Sequence, residues 1–319
     1  MCSVFVVLPE SVLRSRWFDL RASCWSVATW KTRRSQWKKY LLFCEDQELE
    51  AIPASVETVC LYISFLTFTF KYSSITNYVS AIWILHQWFD TTSPAKGSFL
   101  VKCTMLGARR LLGSAVTQMD PLMPDDLLRV FSTLSMKDPW DVLFWCIVTL
   151  SFRCLLRKSH LTASPHVIQA EDVSLTSYGL DITINSSKTI QFKERKVVVP
   201  IIKSSGPLCP IKWIRRYRRA VPSTTALLCK PGTQSPPTYV WYLNKLRSAC
   251  KTAGLSGHYG SHSLRRGSAT FLSRIGMPLH DIRIYGDWRS LSVLLYLSAD
   301  KATRYSKDKY VSHCLSRFI

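Results

Sequence analysis

The run His262-Ser263-Leu264-Arg265-Arg266-Gly267 is followed by Gly286-Asp287-Trp288-Arg289 and then by Tyr296. On a helix, His262 and Arg265 stand three positions apart and share a face, so an imidazole and a guanidinium can reach one phosphate. Tyr296 can approach that phosphate from a later helix. Alone, such a His-x-x-Arg pair is more often a pair of surface side chains than a site. Two upstream stretches bear on it. Cys154-Leu155-Leu156-Arg157-Lys158-Ser159-His160 puts Arg157 at the end of an apolar helix, where its simplest role is that of a capping cation. Ser186-Ser187-Lys188-Thr189-Ile190 puts Lys188 at a turn between two strands, a place that is usually solvated but can also deliver a flexible ammonium into a groove.

The rest of the chain fits a phosphate-bearing partner. Its 319 residues carry 42 Lys and Arg against 21 Asp and Glu, a formal charge of +21 that points to a polyanion. A disordered basic tail is excluded, because 47% hydrophobic and 12% aromatic residues are enough to build cores. Length favours about two domains. No apolar stretch reaches the roughly 18 residues of a membrane span, and the 4–8 run lacks the basic flank of a secretory signal, so neither a membrane nor a leader is expected. Eleven Cys without a Cys-x-x-Cys pair suit reduced thiols better than a disulfide framework or a zinc ribbon. His258 and His262 are four apart, but Gly260 lies between them and no acidic or Cys third ligand is near, so no metal is expected.

Residues 29–112 show helical periodicity. Trp30, Trp37, Tyr40, Leu41 and Cys44 recur with Lys31, Arg33, Arg34, Lys38 and Lys39 between them, an amphipathic helix with a basic face. Helices also follow over 55–70, 73–88 and 102–112, the first opened by Ser55 as a cap. A polar stretch with two prolines at 113–124 marks the domain boundary. Beyond it, helices are expected from Pro124, over 140–157, and over 210–220, 239–253, 262–275, 279–285 and 291–297. Alternating Leu180, Ile182 and Ile184 and the run Val197-Val198-Val199 read as strands of a small inserted sheet. Arg215-Arg216-Tyr217-Arg218-Arg219 is a second basic run, and at least one of the two runs is expected to contact phosphate. Trp25, Trp30, Trp37, Trp83 and Trp88 can stack on bases, although packing is the commoner role.

In this order and separation, Arg157, Lys188, His262 with Arg265, and Tyr296 resemble the tyrosine recombinases of the phage-integrase family, most closely the eukaryotic DIRS- and Crypton-type recombinases of mobile elements. The resemblance implies a mainly α chain. It has an N-terminal extension (1–28), a helical SAM-like core-binding domain (29–113) and a linker (114–124). A mixed α+β catalytic domain with a small antiparallel sheet follows (125–319). It also implies the roles. Tyr296 is the nucleophile, giving a 3′-phosphotyrosine and a free 5′-hydroxyl. Arg157 and Arg265 fork onto the non-bridging oxygens, and Lys188 is the general acid. His262 is the base or a phosphate donor, and Trp288 contacts the phosphate through its indole. Lys31, Arg33, Arg34, Lys38, Lys39, Arg215, Arg216 and Arg266 are the expected DNA contacts. No cofactor, metal or ATP is implied, because the covalent bond retains the phosphodiester energy. Double-stranded DNA, a tetramer on DNA and, in a eukaryote, the nucleus are implied, or the cytoplasm and nucleoid in a prokaryote.

Two positions depart from the family pattern. His160 stands where Glu or Asp usually follows the first Arg by three, and the position nine before the Tyr is Asp287, with Trp288 eight before. Two rival readings share the fold: a domesticated, inactive DNA-binding protein, and a type IB topoisomerase. The nearly intact catalytic set disfavours the first. The separate N-terminal domain and a His where topoisomerases usually have Lys disfavour the second. The segment after Tyr296, with Lys301, Arg304, Tyr305, Tyr310, Val311, Cys314 and Leu315, resembles the tail by which family members dock on a neighbouring protomer.

Overall fold

The computed structural model describes residues 8–297 apart from 94, 116, 117, 193 and 224, so the expected docking tail lies outside the described residues. The chain divides into two compact units, Met1–Thr117 and Gln118–Ile319.

The first unit is all helical: α1 Glu10–Ala22, α2 Val27–Asp46, α3 Val56–Thr67, α4 Tyr72–Trp88 and α5 Phe99–Leu112. Side-chain caps set two of the starts. Ser26 Oγ accepts from Thr29 N at 3.2 Å, and Ser55 Oγ from Thr58 N at 3.0 Å, each satisfying an amide with no partner inside the helix. Tyr40, Phe43, Tyr62, Ile63, Leu66, Ile75 and Ile82 form the core between α2, α3 and α4. Within the expected N-terminal extension, residues 10–22 form α1, and α2 begins at Val27. No residue of α1 is buried.

The second unit is built round one helix. It contains α6 Pro124–Ser132, α7 Pro139–Arg153, β1 Val173–Leu175, β2 Gly179–Ile184, β3 Val197–Ile202, α8 Pro210–Ala220, α9 Tyr239–Thr252, α10 Ser261–Arg274 and α11 Leu279–Tyr285. Every residue of α7 from Asp141 to Phe152 is buried, so this helix is apolar on all sides and forms the centre of the domain. Packed around it are α8, α9 and α10. Asp141, its one buried acid, is paired with Lys245 of α9 at 2.5 Å. The sheet is antiparallel in the order β1-β2-β3, with Leu180 opposite Ile201 and Ile182 opposite Val199. Those four side chains face the same core. Among the described residues no helix is long and apolar enough to cross a membrane.

Two expectations about the elements are corrected. The apolar helix does not reach Arg157: α7 stops at Arg153, and Leu155 adopts a left-handed backbone with φ +51°, so Arg157 lies in a turn four residues beyond the helix. The predicted helix at 291–297 is a short 3-10 turn, Leu291–Leu295, with Tyr296 immediately after it.

Candidate active site

The site is assembled from four loops and one helix of the second unit. The helix is α10, and it puts His262 and Arg265 on one face as their spacing requires. Close approach fixes its position. A Cβ at Gly267 would collide with the main chain of Leu122, so only glycine lets α10 lie against the 118–123 segment, where Leu122 N donates to Ser263 O at 3.1 Å.

Arg265 is 3% exposed and serves as the keystone. Its Nη1 donates to the Leu155 carbonyl, which the left-handed turn after α7 presents, and its Nη2 donates to Gly286 O at 2.9 Å. The guanidinium lies 4.3 Å from the centre of the Trp288 ring and 5.6 Å from that of Tyr296. Trp288 is buried and closes a small cluster with Leu155, Ala269, Leu272, Ile282 and Val293, against which Tyr296 packs. Gly286 allows this: a Cβ there would occupy the space of the Trp288 ring. Burial and the charge of Arg157 lower the pKa of Arg265, while Tyr296 and Asp287 raise it.

The Tyr296 hydroxyl is 3.1 Å from His262 Nδ1. Partial burial and the cations Arg265, Lys158, Arg157 and Lys188 push the pKa of His262 down. At neutral pH the imidazole is therefore uncharged, and in the tautomer with Nδ1 unprotonated it can accept a hydrogen bond from the phenol. Arg157 donates toward Thr189 Oγ1 at 3.4 Å and toward the Asp287 main-chain oxygen at 3.5 Å, with the Asp287 carboxylate 3.9 Å away. Lys188 stands exposed on the tight turn closed by the Ser187–Ile190 bridge, between β2 and β3, and contributes to the field at His262.

The structure thus brings Arg157, His262, Arg265, Trp288 and Tyr296 together and sets Lys188 on a turn whose next residue touches Arg157. The expected DNA contacts are distributed among three helices. On α2, Lys31, Arg34 and Lys38 are exposed, Arg33 reaches toward Gln36 at 3.5 Å, and Lys39 lies over the rings of Phe65 and Phe70. On α8, Arg215 is exposed and Arg216 donates to Met136 O at 2.6 Å. On α10, Arg266 donates to Leu295 O at 3.0 Å, tying the helix to the turn that carries Tyr296. Trp25, Trp30, Trp37 and Trp88 form one cluster of rings 4.8–6.5 Å apart. Among the described residues no group of three or more His, Cys, Asp and Glu side chains is arranged to hold a metal.

Sequence reasoning missed the carboxylate node. Asp287 accepts from Thr189 Oγ1 at 2.8 Å and from Arg195 at 2.5 Å, and faces Arg157. The only signal was its unusual place nine residues before the Tyr.

The fold is shared with solved structures. A lambda integrase dimer bound to a COC' core site has a TM-score of 0.63 at 14% identity, over 92% of this chain and 97% of that one. The Tn1549 transposon integrase in complex with transposon right end DNA has a TM-score of 0.64 at 12% identity, over 92% and 97%. The XerH site-specific recombinase bound to its palindromic difH substrate has a TM-score of 0.59 at 16% identity, over 81% and 72%. The fold is that of the integrases and site-specific recombinases. A curated relative of that recombinase kind, an integrase/recombinase xerD homolog from Selenomonas ruminantium, is 24% identical over 269 residues, 80% of this chain and 74% of its own. No family model matches the chain. The relative and the shared recombinase fold support the resemblance to the tyrosine recombinases, with no bearing on the DIRS and Crypton subclass.

Proposed function

We propose that this chain is a tyrosine recombinase that cuts and rejoins double-stranded DNA through a covalent 3′-phosphotyrosine at Tyr296. The observation that carries the reading is the contact of the Tyr296 hydroxyl with His262 Nδ1, beside the buried Arg265, on a recombinase fold. In the forward step the Tyr296 oxygen attacks phosphorus and its proton passes to His262. The bond to the 5′-oxygen breaks, and Lys188 protonates that leaving oxygen. Arg157 and Arg265 stabilise the charge that grows on the non-bridging oxygens, and their planar forks suit it better than lysines would. In the second step a 5′-hydroxyl from a partner strand attacks the phosphotyrosine and the phenol leaves with its proton restored. The number of phosphodiester bonds is conserved, so the cycle needs no ATP.

The basic face of α2 and the arginines of α8 hold the DNA backbone. The similar proteins include a lambda integrase tetramer bound to a Holliday junction, with a TM-score of 0.54, and a tetramer on DNA is the assembly we propose here. The finer placement beside the DIRS- and Crypton-type recombinases rests on the sequence resemblance, and a nuclear site of action follows from it. An inactive DNA-binding descendant of the fold would have no use for a nucleophile held against a neutral base. The test is incubation with DNA nicked near a candidate site. A covalent protein–DNA adduct that disappears in Tyr296→Phe is expected; an adduct that survives that change, or none from the unaltered chain, refutes the mechanism.

A further inference from the structure

The two departures from the family pattern converge on one side chain, Arg157. His160, in the place where an acid is usual, is 3% exposed, and neither ring nitrogen has a hydrogen-bond partner. Burial and the charges of Arg157 and Arg265 bring its pKa down to about 3, so it is neutral and gives Arg157 no counter-charge. The negative charge comes from the other departure. Asp287 Oδ2 accepts from Thr189 Oγ1 at 2.8 Å and lies 3.9 Å from Arg157 Nη1. Its Oδ1 takes Arg195 at 2.5 Å, and its main-chain oxygen faces Arg157 Nη2 at 3.5 Å. Thr189 follows Lys188 directly, so the same carboxylate holds the turn that carries the proposed general acid.

The backbone is also specialised here. Asp287 has φ +51°, a left-handed conformation, which is unusual for a residue with a side chain and most tolerable for Asp and Asn. That conformation lets Gly286 O turn toward Arg265 while the Asp287 side chain turns toward Arg157.

We infer that Asp287 is the positioning carboxylate of the site, holding Arg157 and the Lys188 turn and supplying the negative charge that position 160 lacks. The inference rests on the phosphotyrosine reading above. Asp287 touches no reacting atom; it acts through Arg157 and Thr189.

Asp287→Asn tests it, because Asn keeps the shape, tolerates the left-handed backbone and removes only the charge. The readout is single-turnover formation of the Tyr296 adduct by the full chain, with DNA affinity measured alongside. The expected result is a loss on the order of 100-fold in rate, as for a displaced catalytic group, at unchanged affinity. Adding His160→Asp, which puts a carboxylate back near Arg157, is expected to recover most of the loss. In an Arg157→Lys chain, Asp287→Asn is expected to add little, because the group it positions has already been changed. Asp287→Gly, which suits the same backbone, replaces Asn if that variant does not fold. A rate for Asp287→Asn equal to or above the unaltered chain overturns the inference, as does a loss that His160→Asp leaves untouched or one that multiplies with Arg157→Lys. Absence of any Tyr296-dependent adduct from the unaltered chain instead refutes the phosphotyrosine reading, and the inference falls with it.

Discussion

Replacing His160 by Leu should remove a pH-dependent weakness from the second unit. The imidazole is buried with both nitrogens unpartnered, and its folded pKa of about 3 lies far below the unfolded value of 6.5. The folded ring stays neutral while the unfolded ring takes up a proton, so the stability linked to His160 is fully present above pH 6.5. It is lost as pH falls from there toward 3, at about 1.4 kcal/mol per pH unit. Between pH 8 and pH 5 the loss is about 2 kcal/mol, set by protonation of the unfolded chain because the folded ring is still neutral at pH 5. Leu fills similar space, does not titrate, and removes the desolvation of a polar ring with no partner, an effect of about 1–3 kcal/mol. The variant should therefore be at least as stable at pH 8, and its advantage should grow by about 2 kcal/mol at pH 5. Urea unfolding followed by tryptophan fluorescence at the two pH values measures this, and comparing the two chains cancels every other titrating group. Parallel losses of stability in both chains would show that His160 is solvated or paired in the folded protein, contrary to the burial argument.

Two further outcomes follow from the same geometry. Lys188→Ala should slow adduct formation on ordinary DNA by about 10²–10⁴-fold, and a substrate with sulfur at the bridging 5′ position, which leaves without a proton, should restore it; equal defects on both substrates would remove Lys188 from the acid role. Binding to DNA should weaken steeply with salt whatever the sequence, and changing Arg33, Arg34, Arg215 and Arg216 to Ala should reduce the salt slope by up to about one unit per lost phosphate contact, a salt-independent affinity being the refuting result.

What the sequence made legible was local. His262 and Arg265 share a face of α10 because helical spacing alone requires it, and β2 and β3 follow from the alternation at 180–184 and the run at 197–199. Lys188 falls on a turn because two strands flank it. The long-range features were not legible. That Leu155 would take a left-handed turn and present its carbonyl to Arg265, 110 residues away, is a tertiary contact with no periodic signature. The same holds for the Asp287 node, whose partners Arg157, Thr189 and Arg195 are distant in sequence.

The charges explain how the site can be quiet without DNA. Arg265, Lys158, Arg157 and Lys188 all act to keep His262 unprotonated, and of the groups facing Arg157 the one carboxylate described is Asp287. A neutral imidazole can accept a proton from Tyr296, but four cations around it make that acceptance unfavourable. In the mechanism proposed above, a phosphodiester bound by Arg157 and Arg265 brings a negative charge and offsets those cations, so the affinity of His262 for the phenol proton would rise when the bond to be cut is in place. The same anion lowers the cost of holding Arg265 in a buried, cation-rich setting. In the proposed mechanism, substrate binding and activation of the nucleophile are thus two consequences of one electrostatic change.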